Sequence, residues 1–289
     1  MGSLEVIKKG FLTTVQDLGR IGVRRIGVPT SGAMDIKAMK DGNKIVGNSD
    51  WSPVFEHTFY GGVYVFYERA LISITGATCT PILNGIEIPQ YKAIEINKWD
   101  KLEIKHPKRG CRSYMAIQGV LDIPKVLHSY STYLEGKFGG FKGRALDSGD
   151  KISWKFEGND FKLRDFPSSE MPYFSSKISI NIKKGPEFDL LDEQAQNEFF
   201  DSIFSVNSQS NRMGIRLEGQ KIKYPTIEMV SAPVIPGIIQ IPASGNPIIL
   251  MRDCQTIGGY PRIGIVEEED LWRLGQVKAG DQIRFKFFE

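Results

Sequence analysis

A nine-residue pattern that occurs twice constrains the fold of this chain more than any other feature. The two copies are SGDKISWKF at residues 148–156 and AGDQIRFKF at residues 279–287, and they share Gly-Asp, Ile, an aromatic residue and Lys-Phe. Gly-Asp favours a tight turn, and the alternation that follows places apolar side chains on one face of a strand. The copies begin 131 residues apart, which is a typical domain length. We therefore predict two related β lobes, each closed by one of these strands.

A second pair of segments supports the duplication. SYSTY at residues 129–133 precedes the first copy, and TIGGY at residues 256–260 precedes the second. The polar, Pro- and Ser-rich stretch between the halves has little periodicity, which is typical of a linker. The predicted division is a first lobe at residues 1–160, a linker at residues 161–176 and a second lobe at residues 177–289.

The apolar periodicity predicts a mostly-β fold class. Residues 86–105, for example, alternate apolar and polar side chains as half-buried antiparallel strands do. Helical patterns are few and short. They lie at residues 31–47 (with Ser31 near the start and Gly47 at the end), at residues 189–204 (with Asp189 as the N-cap) and at residues 267–276.

Composition excludes several classes of protein. The chain has 289 residues with 41% hydrophobic and 25% charged side chains, which indicates a globular protein with a substantial core. The formal net charge is +3. A short basic cluster at Lys105, Lys108, Arg109 and Arg112 is interpreted as a solvated hairpin tip, because nucleic-acid binding requires a broader basic face. Nucleic acid is therefore not an expected partner.

The cysteines and histidines predict neither a disulfide framework nor a metal site. Three cysteines occur without a CxxC pair, and the three histidines are isolated, without an HExxH motif. The first residues lack an apolar signal core, and no apolar run is long enough to span a bilayer. We expect a reduced, cytoplasmic protein with no membrane segment. Cys254 has no histidine nearby in sequence, which disfavours a catalytic thiol.

Polar, glycine-flanked loops remain as candidate ligand-binding segments. They are TTVQDLGR (13–20), PTSGAMD (29–35), SNRMGIRL (210–217) and DCQTIGGYPRIG (253–264). Arginine suits carboxylate, carboxybiotin or phosphate oxygens because its fork donates two parallel hydrogen bonds. For each arginine a structural salt bridge is an equal alternative. For the last loop the alternative is a plain turn, because Gly-Gly is ordinary turn chemistry.

These motifs resemble the carboxyltransferase-related family of allophanate hydrolase subunit 2. The segments that carry the resemblance are residues 10–35, RSYMAIQG (112–119), SYSTY (129–133), GRALDSGD (143–150), SNRMGIRLEG (210–219) and MRDCQTIGGYPRIG (251–264). They occur in the family's order from about Gly10 to Phe287. The family includes the C subunit of bacterial 5-oxoprolinase (KipA-like, an antagonist of a kinase inhibitor) and a segment of urea carboxylase.

The resemblance implies two cyclophilin-like β-barrel lobes, in agreement with the repeat. It also implies two partners, one similar to the B subunit of 5-oxoprolinase (KipI-like) and one similar to its A subunit. In the family, the C subunit and these two partners together perform the ATP-dependent opening of 5-oxoproline to glutamate. The chain departs from the family where Asn211 replaces Asp, where Gln118 replaces Gly, and where His128 and Tyr130 replace Gly and Arg. The loop of the first lobe therefore departs further from the family pattern than the loop of the second lobe.

The leading hypothesis is a component of this enzyme. A lactam amide is poorly electrophilic, so ATP would activate its carbonyl, and oxyanion donors and a cationic clamp would assist. The predicted catalytic residues are Asp17, Asp35, Asp253 and Tyr260, the aspartates as general bases or metal–phosphate ligands and Tyr260 as a donor. The predicted substrate- or anion-binding residues are Arg20, Ser31, Arg212, Arg216, Thr256, Gly258 and Gly259, with the glycines letting backbone N–H groups approach a ligand. No complete catalytic set is visible in the sequence, which favours a site that needs a partner subunit.

Two alternatives remain open. One is carboxyl transfer from carboxybiotin, carried on another chain, to a urea-like acceptor through the same arginines. The other is a non-catalytic regulator that sequesters a kinase inhibitor through an exposed apolar face.

Overall fold

We describe a computed structural model that covers residues 1–156, 166–167, 171–225 and 229–288. The chain divides into two compact units. Unit 1 contains Met1–Ile21 and Ser31–Phe174, and unit 2 contains Gly22–Thr30 and Ser175–Glu289. The segment Gly22–Thr30 therefore belongs to the unit built mainly from the C-terminal half. Of the predicted linker, residues 161–165 and 168–170 lie outside the described residues, and the predicted domain boundaries stay a prediction.

Two antiparallel sheets and a helix make up the described part of unit 1. Its strands are β1 (Gly2–Lys9), β2 (Leu12–Gln16), β3 (Val54–Thr58), β4 (Gly62–Phe66), β5 (Ala70–Thr78), β6 (Pro81–Leu83), β7 (Ile86–Glu87), β8 (Ile94–Ile96), β9 (Lys101–Ile104), β10 (Arg109–Ile117), β11 (Val120–Leu121) and β12 (Lys151–Lys155). The orders are β11-β12-β1-β4-β9-β6-β7 and β2-β3-β10-β5-β8. Side chains such as Leu4, Phe66, Ile74, Met115 and Trp154 form the main core, to which both sheets contribute. Helix α1 (Ile36–Val46) covers the five-stranded sheet.

Unit 2 is built on a closed seven-stranded barrel. Its elements are β13 (Lys177–Lys184), α2 (Glu193–Asp201), β14 (Phe204–Val206), β15 (Gly214–Glu218), β16 (Ala232–Pro233), β17 (Ile238–Gln240), β18 (Ile248–Leu250), β19 (Ile257–Gly258), β20 (Arg262–Val266), α3 (Glu268–Leu274) and β21 (Gln282–Phe287). The barrel order is β13-β20-β17-β18-β15-β14-β21, while β16 and β19 form a separate ribbon. Phe199 of α2 stacks on Phe285 with ring centroids 4.7 Å apart, and this contact fixes the helix against the barrel.

The predicted fold class is confirmed: the protein is mostly β, with two lobes and a few short helices. The helix starts differ from the predictions because other aspartates provide the caps. Asp35, not Ser31, caps α1 by accepting from Ala38 N, and Asp192, not Asp189, caps α2 by accepting from Ala195 N. Gly47 ends α1 in the left-handed conformation, as predicted. Among the described residues no helix combines the length and apolar character needed to cross a bilayer.

One member of the predicted basic hairpin tip is not at the surface. Lys105, Lys108 and Arg109 are exposed, but Arg112 lies inside β10 and is buried. Its Nε is 3.9 Å from Oε1 of the buried Glu56. The interpretation of Arg112 as a solvated residue is wrong because strand alternation turns it towards the buried face that α1 covers.

The two copies of the repeat adopt the same local structure. The strand pairings differ, because β12 pairs antiparallel with β1 whereas β21 pairs in parallel with β13 and antiparallel with β14, but the turns before the two strands agree. Each strand follows a turn in which glycine has a left-handed φ, 86° at Gly149 and 87° at Gly280. The next aspartate closes the turn: Asp150 Oδ2 accepts from Asp147 N, and Asp281 Oδ2 accepts from Lys278 N. This agreement supports the duplication of the lobes.

The equivalent turns predict equal sensitivity to substitution. Gly149→Ala and Gly280→Ala should each lower the free energy of unfolding by about 1 kcal/mol, because a left-handed φ strains an L residue. An added Cβ meets nothing within 4 Å at either glycine, so the cost is backbone strain alone. Gly259→Ala is the matched control, since Gly259 is not in the left-handed region. Urea unfolding measures the free energy of unfolding of all three variants. An unchanged free energy of unfolding in Gly280→Ala would show that the left-handed φ at this turn does not strain alanine.

A buried histidine makes the stability of unit 1 depend on pH. His57 in β3 is fully buried, and its Nε2 lies 3.0 Å from the Tyr64 hydroxyl. That hydroxyl donates to Gly61 O at 2.6 Å, so His57 Nε2–H is assigned as the donor to Tyr64. Burial lowers the pKa of His57 to about 3. Because the ordinary histidine pKa is near 6.5, the unfolded chain binds a proton between these values that the folded chain does not.

His57 should therefore destabilise the protein as pH falls below about 6.5, by up to about 1.4 kcal/mol per pH unit. The His57→Gln variant should show a shallower decrease in the free energy of unfolding between pH 6.5 and 4. His106→Gln, at an exposed histidine, is the control. Urea titrations at several pH values measure the slope. Equal slopes for His57→Gln and the unmodified chain would show that His57 does not cause the pH dependence.

Candidate functional site

Asp17 anchors the SYSTY loop of unit 1. Its Oδ1 accepts from Ser129 Oγ at 2.6 Å, from Ser131 Oγ at 2.5 Å and from Gly19 N at 2.8 Å, and its Oδ2 accepts from Tyr130 N at 2.7 Å. The side chain is buried, so these donors replace the water that a carboxylate needs. The structure thus shows a loop-anchoring role for Asp17, and its predicted catalytic role stays a prediction.

Arg20 is one of the largest fully buried side chains of the protein. Its Nε donates to Val126 O at 3.2 Å, and its Nη2 donates to Ser131 O. The guanidinium lies over the Phe138 ring, 4.8 Å from the centroid. These contacts hold the same loop that Asp17 anchors. These contacts support a structural role for Arg20, which was the alternative to ligand binding.

Ser31 and Asp35 lie before helix α1 and are both fully buried. Ser31 has a φ of 54°, and its Oγ has no hydrogen-bond partner among the described residues. Asp35 uses its carboxylate to cap the helix, while its N–H donates to the Tyr114 hydroxyl at 2.8 Å. Tyr114 in turn donates to Glu56 Oε2 at 2.9 Å. Asp35 thus belongs to a buried network that fixes the helix start.

In unit 2 the structure brings Arg212 to Asp253. Arg212 Nε is 2.7 Å from Asp253 Oδ2, and Nη2 is 3.2 Å from Oδ1, so the two planar groups form a bidentate pair. The backbone adds a bond from Asp253 N to Arg212 O at 2.9 Å. Both side chains are buried. This ion pair joins the SNRMG loop to the DCQTIGGY loop.

Arg24, which the sequence analysis did not single out, holds the DCQTIGGY loop from the other side. Its Nη2 donates to Val234 O and, at 2.7 Å, to Gln255 O, and it lies 3.9 Å from Cys254 Sγ. Cys254 is fully buried, and burial raises the pKa of its thiol to about 11. A thiol in that state is a poor nucleophile, in agreement with the sequence analysis.

A polar cavity of about 380 Å³ opens in unit 2 beside these loops. Its volume lies in the range of small-molecule sites. Arg216 and Tyr260 line it, and both side chains are exposed. Amide and hydroxyl side chains dominate the rest of its polar surface; they belong to Asn207, Gln209, Asn211, Gln240, Ser244, Asn246 and Gln255. Of the predicted residues, Arg216 and Tyr260 therefore share one site.

The remaining predicted residues have different surroundings. Thr256 accepts a backbone hydrogen bond from Val234 N at 3.0 Å. Neither Gly258 nor Gly259 is in the left-handed region, so neither is required by turn geometry. A Cβ on Gly258 would lie 2.8 Å from Gln240 Nε2, whereas a Cβ on Gly259 would meet only Ser231 Oγ at 3.7 Å. Gly258 makes room for a side chain of the cavity, and Gly259 is sterically unconstrained.

Sequence reasoning missed Gln240, although a signal was present. Gln240 is the polar residue in the apolar strand GIIQIP, and polar residues inside apolar runs are the informative exceptions to burial. Arg24 gave no such signal, because arginines in polar segments are usually solvated. Its role depends on carbonyl groups that are more than two hundred residues away in sequence.

The fold and this site define a two-lobed β protein with a cavity lined by strands and loops of unit 2. A family model described as "Carboxyltransferase domain, subdomain A and B" matches residues 26–287. The chain belongs to this family, which confirms the resemblance described above.

Three relatives illustrate the range of the family. The C subunit of 5-oxoprolinase from Escherichia coli (strain K12) is 36% identical over 283 residues, which are 98% of this chain and 90% of that protein. Urea amidolyase of Saccharomyces cerevisiae is 35% identical over 302 residues, which are 98% of this chain but 16% of that protein. The crystal structure of Kluyveromyces lactis urea carboxylase superimposes with a TM-score of 0.94 at 32% identity, covering 99% of this chain and 27% of that one.

These relatives are enzymes or enzyme subunits, which supports a role for this chain in an enzyme complex. The Escherichia coli relative is one subunit of its enzyme, which implies partner subunits for that relative. The chain spans about one sixth of the urea amidolyase that it matches. Any activity of that whole protein requires further domains.

The Arg212–Asp253 pair allows the structural and catalytic interpretations of Asp253 to be separated. Asp253→Leu should lower the free energy of unfolding by about 3–5 kcal/mol, because a buried guanidinium loses its carboxylate. The double variant Arg212→Met, Asp253→Leu should recover most of this loss, since it removes both charges together. Urea unfolding measures the free energy of unfolding of the unmodified chain, the single variant and the double variant.

Arg284→Met is the matched control, because Arg284 forms an exposed pair with Asp201 at 3.5 Å. It should cost less than about 1 kcal/mol. If Asp253→Leu is as stable as the unmodified chain but inactivates an assembled enzyme, Asp253 has a catalytic role instead.

Proposed function

We propose that this chain is one subunit of an ATP-dependent amidohydrolase that opens 5-oxoproline to glutamate. In this proposal it acts with two partners, which are similar to the B subunit (KipI-like) and to the A subunit of 5-oxoprolinase. The observation that carries the proposal is the extent of the match to the C subunit of that enzyme, which includes 98% of this chain and 90% of the relative. The alignment over nearly the whole of the C subunit supports a corresponding subunit architecture for the residues of this chain.

The geometry of the aspartates supports dependence on partners. Asp17 accepts four hydrogen bonds within unit 1, Asp35 caps a helix, and Asp253 is paired with Arg212. A general base has to reach a substrate proton with a free lone pair. Each of these three carboxylates has a structural role in this chain, which is compatible with a general base supplied by a partner or by another residue of the complex.

ATP does not fit the cavity of unit 2. Among the charged side chains that line it, Arg216 is a cation and Glu218 is a carboxylate. Sites that bind a nucleotide triphosphate use several donors and cations around the phosphates. We therefore assign ATP to the complex as a whole, on a surface other than this cavity.

The second candidate function is carboxyl transfer from carboxybiotin to a urea-like acceptor. The observation that favours it is the TM-score of 0.94 with a urea carboxylase, together with the carboxyltransferase description of the family. Biotin would be carried on another chain, and the cavity beside Arg216 would bind the acceptor. The two functions differ in their requirements for biotin and bicarbonate.

Reconstitution separates these functions. The purified chain should show no appreciable hydrolysis of 5-oxoproline, and ATP-dependent release of glutamate should appear when both 5-oxoprolinase-like partners from the same organism are added. The physical reason is that a weakly electrophilic lactam requires activation that this chain does not supply. Amino-acid analysis of glutamate and release of phosphate measure the reaction.

Omission of each partner in turn is the control for the complex. Robust hydrolysis by the chain alone would reject the proposed dependence on partners. Carboxylation of urea that requires biotin and bicarbonate, without hydrolysis of 5-oxoproline, would establish the second function instead.

A further inference from the structure

Three residues form a row across the wall of the cavity. Arg216 of β15 is paired with Ile248 of β18, and Ile248 is paired with Gln240 of β17. Residues paired across neighbouring strands point to the same face, and adjacent strands are about 4.8 Å apart. The Cα atoms of Arg216 and Gln240 are therefore about 10 Å apart, with an apolar side chain between them. All three residues line the cavity.

Arg216 provides a cation at one end of the row. Its guanidinium makes no hydrogen bond or ion pair within the part of the chain that the structure describes. Its backbone is held firmly, because Arg216 N donates to Ser210 Oγ at 3.0 Å and Arg216 O accepts from Asn207 N at 2.9 Å. A guanidinium on a fixed strand suits a carboxylate, which it can bind with two parallel hydrogen bonds.

Gln240 provides an amide at the other end. The side chain is only 1% exposed, and its Nε2 donates to Tyr260 O at 3.2 Å. Because that oxygen can only accept, the amide is oriented with Oε1 as the remaining acceptor. The pairing of β17 with β20 shifts by one residue between Ile239 and Gln240, and such bulges re-aim side chains. An amide N–H of a ligand is the complementary partner for this oxygen.

The structure assigns this cavity to a small monocarboxylate that carries an amide. Arg216 binds the carboxylate, Gln240 Oε1 accepts from the amide N–H, and the hydrocarbon part of the ligand lies over Ile248. Gln240 is therefore the residue that distinguishes an amide from a simple carboxylic acid, because a buried acceptor disfavours a ligand that lacks a donor. This inference rests on the proposed function for its choice of probe, which is 5-oxoproline.

Gly258 gives an independent test of Gln240. A Cβ at Gly258 would come within 2.8 Å of Gln240 Nε2, so Gly258→Ala displaces the amide without changing Gln240 itself. Gly258→Ala should therefore weaken the binding of a ligand that carries an amide.

The experiment is calorimetric titration of the full chain with three probes. They are 5-oxoproline, 2-pyrrolidone (the lactam without the carboxylate) and cyclopentanecarboxylate (the carboxylate without the lactam). The 5-oxoproline probe should bind about tenfold or more tightly than either of the others, since each lacks one directional contact. Arg216→Gln should lower the affinity for 5-oxoproline to the value that the unmodified chain has for 2-pyrrolidone. Gln240→Leu and Gly258→Ala should lower it to the value that the unmodified chain has for cyclopentanecarboxylate.

The control is Arg284→Gln, which should bind as the unmodified chain does, because Arg284 forms an exposed pair with Asp201 and is not among the residues that line the cavity. Thermal melts confirm that each variant is folded. If Gln240→Leu does not fold, Gly258→Ala decides the role of Gln240. Equal affinities for the three probes, no binding of 5-oxoproline, or unchanged binding in both Arg216→Gln and Gly258→Ala would overturn the assignment.

Failure of this assignment is distinguishable from failure of the proposed function. If the reconstituted complex hydrolyses 5-oxoproline while the chain shows no binding, the site is wrong and the function stands. If the chain ranks the probes as expected while the complex does not hydrolyse 5-oxoproline, the function is wrong and the site stands.

Discussion

A carboxylate that is removed from water has to be matched by donors from the protein, and this requirement organises the loops of both units. In unit 1, the Asp17 carboxylate accepts hydrogen bonds from two hydroxyl and two backbone donors, and these bonds connect the chain after β2 to the SYSTY loop. In unit 2, Asp253 meets this requirement with the fork of Arg212. Loss of either set of donors leaves a buried charge uncompensated. These carboxylates therefore support loop geometry, whatever chemistry the loops perform.

In unit 2, the buried ion pair that holds the loops lies close in sequence to an exposed residue of the cavity. Arg212 and Asp253 are buried and satisfied, while Arg216, four residues from Arg212, is exposed in the cavity. Strand alternation produces this difference, because Ile215 and Leu217 point into the core and Arg216 points away from it. Arg24 stabilises the adjacent loop through carbonyl groups on both sides of the β16–β19 ribbon. The exposed cation of the cavity thus lies on a strand, whereas the pair that holds the loops is buried.

Membership in the carboxyltransferase family and the engaged aspartates together explain why the chain is best understood as part of a larger enzyme. Relatives of this chain range from a protein of nearly the same length to segments of much larger polypeptides. In both cases the matching region is nearly the whole of this chain. A scaffold that supplies a substrate cavity and leaves activation chemistry to other subunits is compatible with both kinds of relative.

The amino-acid sequence alone determined the duplicated β architecture, the Gly-Asp turns, the end of α1 at Gly47 and the family. These features depend on local periodicity and on residues with special backbone conformations, which are readable over a few positions. Only the tertiary structure decided which polar residues are consumed by packing. Asp17 and Arg20 are held by donors and carbonyls more than one hundred residues away, and Gln240 lines the cavity beside Gly258, which leaves room for its amide. Burial and hydrogen-bond partners are properties of distant contacts, and for that reason no local pattern could assign them.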